Sequence, residues 1–69
     1  MRVKYFADTD TALLEFSTNP PVETQEVNEN IYVDLDSKGR VVSMTIEHAA
    51  KQAEIANFSF NQVSTLVTK

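Results

Sequence analysis

Cysteine is missing altogether from this 69-residue chain, and glycine and histidine occur once each. The first absence excludes disulfides and thiolate metal sites together, and it suits a reducing cytoplasm, where the chain is expected to work. With Gly39 as the sole glycine, neither a phosphate-cradling loop nor a dinucleotide-binding turn can be built. His48, the sole histidine, cannot make a zinc site without several carboxylates or a second chain. It is read instead as an ordinary residue at a helix N-terminus. A catalytic role for it would need a nucleophile and an orienting group. Ser43, Thr45 and Ser59 offer hydroxyls, but no such set stands out. No enzyme and no cofactor are expected.

Runs of positive charge are also absent. Arg2, Lys4, Lys38, Arg40, Lys51 and Lys69 are scattered, and ten acidic residues outweigh six basic ones for a formal net charge of −4. Such a field repels phosphate backbones, so nucleic acid is not an expected partner. No window approaches the roughly 18 apolar residues of a membrane span, and the first residues show no apolar core of an export signal. Asn57-Phe58-Ser59 matches the N-glycosylation pattern but is idle without export.

What is present is an ordinary folded balance, 42% hydrophobic and 23% charged. A domain of this size hides only about 60% of the surface its unfolded chain exposes. Disulfides, a metal or a partner chain usually make up the difference. Without cysteine, self-association is the simplest of these.

The clearest stretch is residues 31–50. Ile31, Val33 and Leu35 alternate with Tyr32 and Asp34, Asp36-Ser37-Lys38-Gly39 reverses the chain, and Val42, Met44 and Ile46 alternate with Ser43 and Thr45. Period two on both sides of a glycine turn is a half-buried hairpin. Gly39 is expected in the left-handed region after a type I turn, with Asp36 opening that turn.

Earlier in the chain, residues 2–6 alternate as a first strand, residues 7–11 form a polar turn, and residues 12–16 make a second strand. Phe6 and Leu13 fall on the polar side of these strands. Pro20-Pro21 breaks the pattern as the main loop. Residues 22–27 resume as a strand whose apolar parity slips by one, which fits a bulge or a residue turned over at an edge. Asn28-Glu29-Asn30 makes the next tight turn, because asparagine tolerates positive φ.

Residues 47–57 are rich in helix formers, with Ala49, Ala53 and Ala56 on one face, and are expected as a helix. Residues 58–69 form an apolar tail. Ser59 and Gln62 have capping-box spacing, while Val63, Thr65, Val67 and Thr68 favour extended structure, so helix and strand both stay open. Phe58, Phe60, Val63, Leu66 and Val67 are too apolar to idle and cover the sheet or a neighbouring chain.

Asp34-x-Asp36-x-Lys38-Gly39 has the outline of half a calcium loop. Lys38 stands where an acidic ligand belongs, however, and Thr45 where a bidentate glutamate belongs. A hairpin turn with solvated carboxylates accounts for it better, and no metal ligand is assigned.

The chain resembles a family of very short bacterial proteins, the domain of unknown function family twenty-two eighty-three. The resemblance rests on Lys4-Tyr5, on Asp10 before an apolar strand ending at Phe16, on residues 22–27, and on V-D-L-D-S-K-G-R-V-V from Val33 to Val42. It covers roughly residues 3–50. The chain departs from the pattern at Phe6, Ser43, Thr45 and His48, where the family usually has aspartate, glycine, glutamate and aspartate. Three acidic positions are thus lost, so no carboxylate site carries over. The resemblance implies a small sheet with a C-terminal helix and no established activity. Neighbouring toxin-like genes in such families suggest an antitoxin-like role by analogy.

The sequence thus predicts one small α+β domain over residues 1–69. Its antiparallel β-sheet has four to five strands built from hairpins (1–46), with a C-terminal helix packed on one face (47–57) and an apolar tail (58–69). The expected function is non-enzymatic self-association as a homodimer through Phe6, Leu13, Phe58, Phe60, Val63, Leu66 and Val67. The alternatives are an antitoxin-like inhibitory partner of a small basic toxin and a weak metal-binding domain at Asp34 and Asp36.

Overall fold

The period-two segments all become strands. The computed structural model describes residues 1–64. In chain order these form β1 (Arg2–Phe6), β2 (Thr11–Glu15), β3 (Glu23–Asn28), β4 (Ile31–Leu35), β5 (Val41–Glu47) and a single helical turn, α1 (Ala49–Gln52). The strands make one sheet in the order β1-β2-β5-β4-β3, every neighbouring pair antiparallel. The expected α+β class with five strands and a C-terminal helix is what the structure shows.

Hairpins join β1 to β2, β3 to β4 and β4 to β5, while β2 pairs with β5 far away in sequence. Residues 16–22 therefore have to pass the ends of β5 and β4 to reach β3. Three strand spacings amount to about 14 Å, which seven residues cover easily. Phe16 and Ser17 N–H still donate to the Val42 carbonyl, at 2.7 and 3.2 Å, before the chain leaves the sheet. Val22 N–H rejoins it at the Leu35 carbonyl, 2.8 Å away.

The parity slip in residues 22–27 is a true irregularity. Glu26 pairs with Tyr32 and Asn28 with Ile31, leaving Val27 as the extra residue. A second shift lies between Asp34 and Leu35: Asp34 faces Ser43 and Leu35 faces Val41, so Val42 is extra on β5. The turn between β4 and β5 has the expected form. Gly39 N–H donates to the Asp36 carbonyl at 3.0 Å, Asp36 N–H donates to the Arg40 carbonyl at 2.9 Å, and Gly39 has φ +77°. The turn at residues 28–30 closes differently. No asparagine there takes positive φ; instead Asn30 N–H donates to Asn28 Oδ1 at 2.7 Å.

The expected helix over residues 47–57 shrinks to four residues. Glu47 is the last residue of β5, His48 is left-handed (φ 55°, ψ 45°), and Ala53 is already extended (φ −156°, ψ 167°). Helix propensity in this segment was outweighed because an isolated turn is costly to nucleate. Only Ala49, fully buried, anchors α1, and alanines offer too little apolar area to hold more turns down. His48 is thus the N-cap of α1, with no side-chain bond to the helix. Residues 58–64 of the tail have no regular structure, and residues 65–69 lie outside the described part.

Register sorts the sheet into two unlike faces. One carries the rows Tyr5-Ala12-Ile46-Ile31 and Val3-Leu14-Met44-Val33, ending on β3 in Asn28 and Gln25. The other carries Arg2-Glu15-Ser43-Asp34-Thr24 and Lys4-Leu13-Thr45-Tyr32-Glu26. A β-carbon added at Gly39 would meet nothing within 4 Å, so a substitution there is opposed by its backbone angle alone. Gly39→Val should therefore lose about 1–2 kcal/mol, and Gly39→Asn, which tolerates that angle, clearly less. Urea unfolding of the two variants checks this, and equal losses would contradict it.

Candidate interaction surface

Hydrogen bonds on the charged face and in the turns come first, because they decide which groups are free to do chemistry. Asp34 accepts from Thr24 Oγ1 at 2.5 Å and from Ser43 Oγ at 2.7 Å, a bridge across β3, β4 and β5. In the same row Glu15 Oε1 lies 3.5 Å from Arg2 Nε and 3.8 Å from Lys4 Nζ. These are solvent-facing pairs that add little stability. Asp36, buried at 7% exposure, accepts at Oδ1 from Lys38 and Arg40 N–H, both at 2.9 Å, and at Oδ2 from Asn19 Nδ2 at 3.0 Å. It thereby closes its own turn and pins the proline loop to it.

Asp34 and Asp36 serve different partners and do not converge. Among the described residues no group of three His, Asp or Glu is placed to hold a metal ion.

The corner between β2, β4 and α1 is organised by residues that the sequence marks only as turn formers. Asp10, at φ 53°, accepts at its carbonyl from Ala49 N–H (2.8 Å) and at Oδ1 from Ala50 N–H (3.0 Å) and the Tyr5 hydroxyl (2.6 Å). Asn30 accepts Glu47 N–H at its carbonyl at 2.7 Å, and its Oδ1 lies 2.9 Å from His48 Nδ1. His48 and Asp10 thus both use left-handed backbone at the point where α1 is tied to the sheet. An aspartate or a histidine at a turn is the signal that could have flagged this corner, since short polar side chains tolerate that geometry.

The same bonds shift three carboxyls below the ordinary aspartate range. Asp10 is lowered first by the Tyr5 hydroxyl and then by Ala50 N–H. Asp34 is lowered by Thr24 and then Ser43, and Asp36 by Arg40 N–H and then Asn19. The Tyr5 phenol is raised, chiefly because it donates to Asp10. Tyr32 is raised by desolvation first and then by the carboxylates of Glu47, Glu26 and Glu29.

Beside this corner an open pocket of about 390 Å³ is lined by Glu29, Asn30, Glu47, His48, Lys51 and Gln52, and the other conspicuous surface is apolar. Ala12, Val42 and Ala49 are the only buried apolar residues among those described. Leu14, Met44, Ile46, Ile31 and Val33 are half-buried. Residues 53–58 run over the β1–β2 side of this face and leave a groove of about 430 Å³, walled by Val3, Tyr5, Leu14, Ile46, Ile55 and Phe58.

The candidate interface residues lie on different parts of the molecule. Phe6, exposed, and Leu13, half-buried, are diagonal neighbours on the charged face. Phe58 lies against the opposite, apolar face, and Phe60 and Val63 are exposed. Leu66 and Val67 lie outside the described residues. The central apolar rows are left as surface because the helix expected to cover them is only the single turn Ala49–Gln52.

Residues 2–49 match the family model described as Protein of unknown function (DUF2283). No curated protein and no solved structure matches the chain.

A carboxyl held below its unfolded pKa of about 4 stabilises the fold above that pH, and the contribution is lost as pH falls through the folded value. The thermal midpoint should thus drop as the pH falls below about 4, with Asp36→Asn less stable near pH 7 and showing a shallower decline. A parent midpoint unchanged over that range would contradict the assignment.

Proposed function

Since the chain belongs to the DUF2283 family of proteins of unknown function, its role has to be read from its surface, and we propose a non-enzymatic, self-associating interaction module that works in the cytoplasm as a homodimer. The observation that carries this reading is the state of the apolar face. No large side chain among the described residues is fully buried, yet two uncharged rows cross four of the five strands. A sheet stable in water buries one face against another layer, and α1 is too short to be that layer.

The charged groups support a binding role over catalysis. The shifted carboxyls are lowered and engaged with protein donors, whereas a general acid or base near neutrality needs a raised carboxyl or a free histidine in a cleft. Among the described residues no helix is long and apolar enough to cross a membrane.

A second reading, an antitoxin-like partner for a basic protein, draws on β3. This edge strand is exposed along its whole length and carries Glu23 and Glu26, with Glu29 in the turn beyond. An open acidic edge suits strand addition by a basic chain.

Light scattering coupled to size exclusion, at about 10–100 μM, the range in which a standard-sized interface is populated, is expected to give twice the chain mass. A strict monomer there would overturn self-association.

A further inference from the structure

We infer that the second copy closes the apolar face, sheet against sheet, about a two-fold axis running parallel to the strands and passing near Met44. This inference rests on the self-association just proposed and names the surface that performs it.

The breadth of the face selects the occupant. Five strands spaced at about 4.8 Å make a surface roughly 20 Å wide, whereas a helix laid on it is only about 10–12 Å across. One helix or one extended segment leaves part of the face wet. Residues 65–69 of the chain itself supply Leu66 and Val67 as their only large apolar side chains. A second sheet of equal width and equal polarity covers the whole, and a two-fold pair supplies one by construction.

Charge favours the same arrangement. The rows Tyr5-Ala12-Ile46-Ile31 and Val3-Leu14-Met44-Val33 contain no ionisable group except the Tyr5 phenol, while Arg2, Lys4, Glu15, Asp34, Glu26 and Glu47 sit on the other face; the carboxylates on the apolar side lie at its margins, Glu23 at the end of edge strand β3 and Glu54 in the 53–58 segment. Sheets packed about 10 Å apart put the two charged faces on the outside. They are then separated by more than the roughly 8 Å screening length of physiological salt. Two chains of formal charge −4 can therefore meet with most of their carboxylates turned outward and only Glu23 and Glu54 at the margins of the seam.

The axis direction follows from what already lies on the face. Residues 53–58 line a groove with residues of β1 and β2 and with Ile46 of β5, and with none of β4 or β3. Rotation about an axis along the central strand β5 sets β1 of one copy over β3 of the other. The 53–58 segment of each then fills the space above the open β4 side of its partner, with Phe58 at the seam. Met44, in the middle of β5 and paired with both Leu14 and Val33, meets its own copy across the axis. Thr45, next to it, points out.

The chain has no native thiol, so single cysteines report the packing directly. Met44→Cys is expected to be joined into a covalent dimer by a short bis-maleimide, and Thr45→Cys to stay uncrosslinked, both keeping the parent's strand circular dichroism. Val33→Asp, which buries a carboxylate in the seam, should weaken the dimer by about tenfold or more, and Leu13→Asp on the charged face should leave it unchanged. A dimer that crosslinks through Thr45→Cys and not Met44→Cys overturns the assigned face while leaving self-association standing. A parent that stays monomeric overturns both. In that case a Met44→Cys thiol shielded from a monofunctional maleimide would mean that the chain's own tail covers the face, and a reactive one that another protein does.

Discussion

The pairing of β2 with β5 is the contact on which everything else depends. It joins Thr11–Glu15 to Ser43–Glu47 across about thirty residues of intervening chain, and it makes one sheet out of a hairpin and a three-stranded meander. The other three pairings are local hairpins, and two-stranded hairpins are marginal alone. Loop closure over such a separation costs entropy before any contact repays it. The fold therefore needs supports at both ends of the β2–β5 seam.

Those supports are polar and small. At one end the Val42 carbonyl receives both Phe16 and Ser17 N–H, and Asn19 ties the proline loop to Asp36. At the other, Asp10 accepts from Ala49, Ala50 and Tyr5, and Asn30 holds Glu47 and faces His48. Left-handed backbone at Asp10 and His48 is strained for residues with a side chain, and it persists because these bonds over-determine it. This places the chain's perturbed carboxyls at structural joints. Their pKa shifts belong to folding, which is why they carry no argument for acid–base chemistry.

With both ends tied by polar bonds, the apolar rows have no layer of their own. The single turn of α1 sits at one end of the sheet, beside the β3–β4 turn, and the 53–58 segment lies over β1, β2 and Ile46 of β5. A five-stranded sheet with one charged and one largely apolar face is an amphipathic plate, and burial of the apolar face is favourable in proportion to the area removed from water. Self-association is the reading that uses this directly. Membership of the DUF2283 family sets no activity against it.

Local structure was legible in the residues themselves. Alternation located all five strands, the lone glycine located the left-handed turn residue, and the parity slip before Val27 located a bulge, because each depends on neighbours in the chain. Two features were not legible. Helix formers over residues 47–57 promised a helix that only packing could have stabilised, and Ala49 alone finds any. The place of Phe58 was the other: alternation put Phe6 and Leu13 on the polar side, where pairing leaves them, but no local pattern said that Phe58 lines a groove on the opposite face. A sequence fixes which residues alternate within a strand. Which strand lies beside which, and so which side chains share a face, is decided only when distant segments pair, because that choice rests on contacts no local window contains.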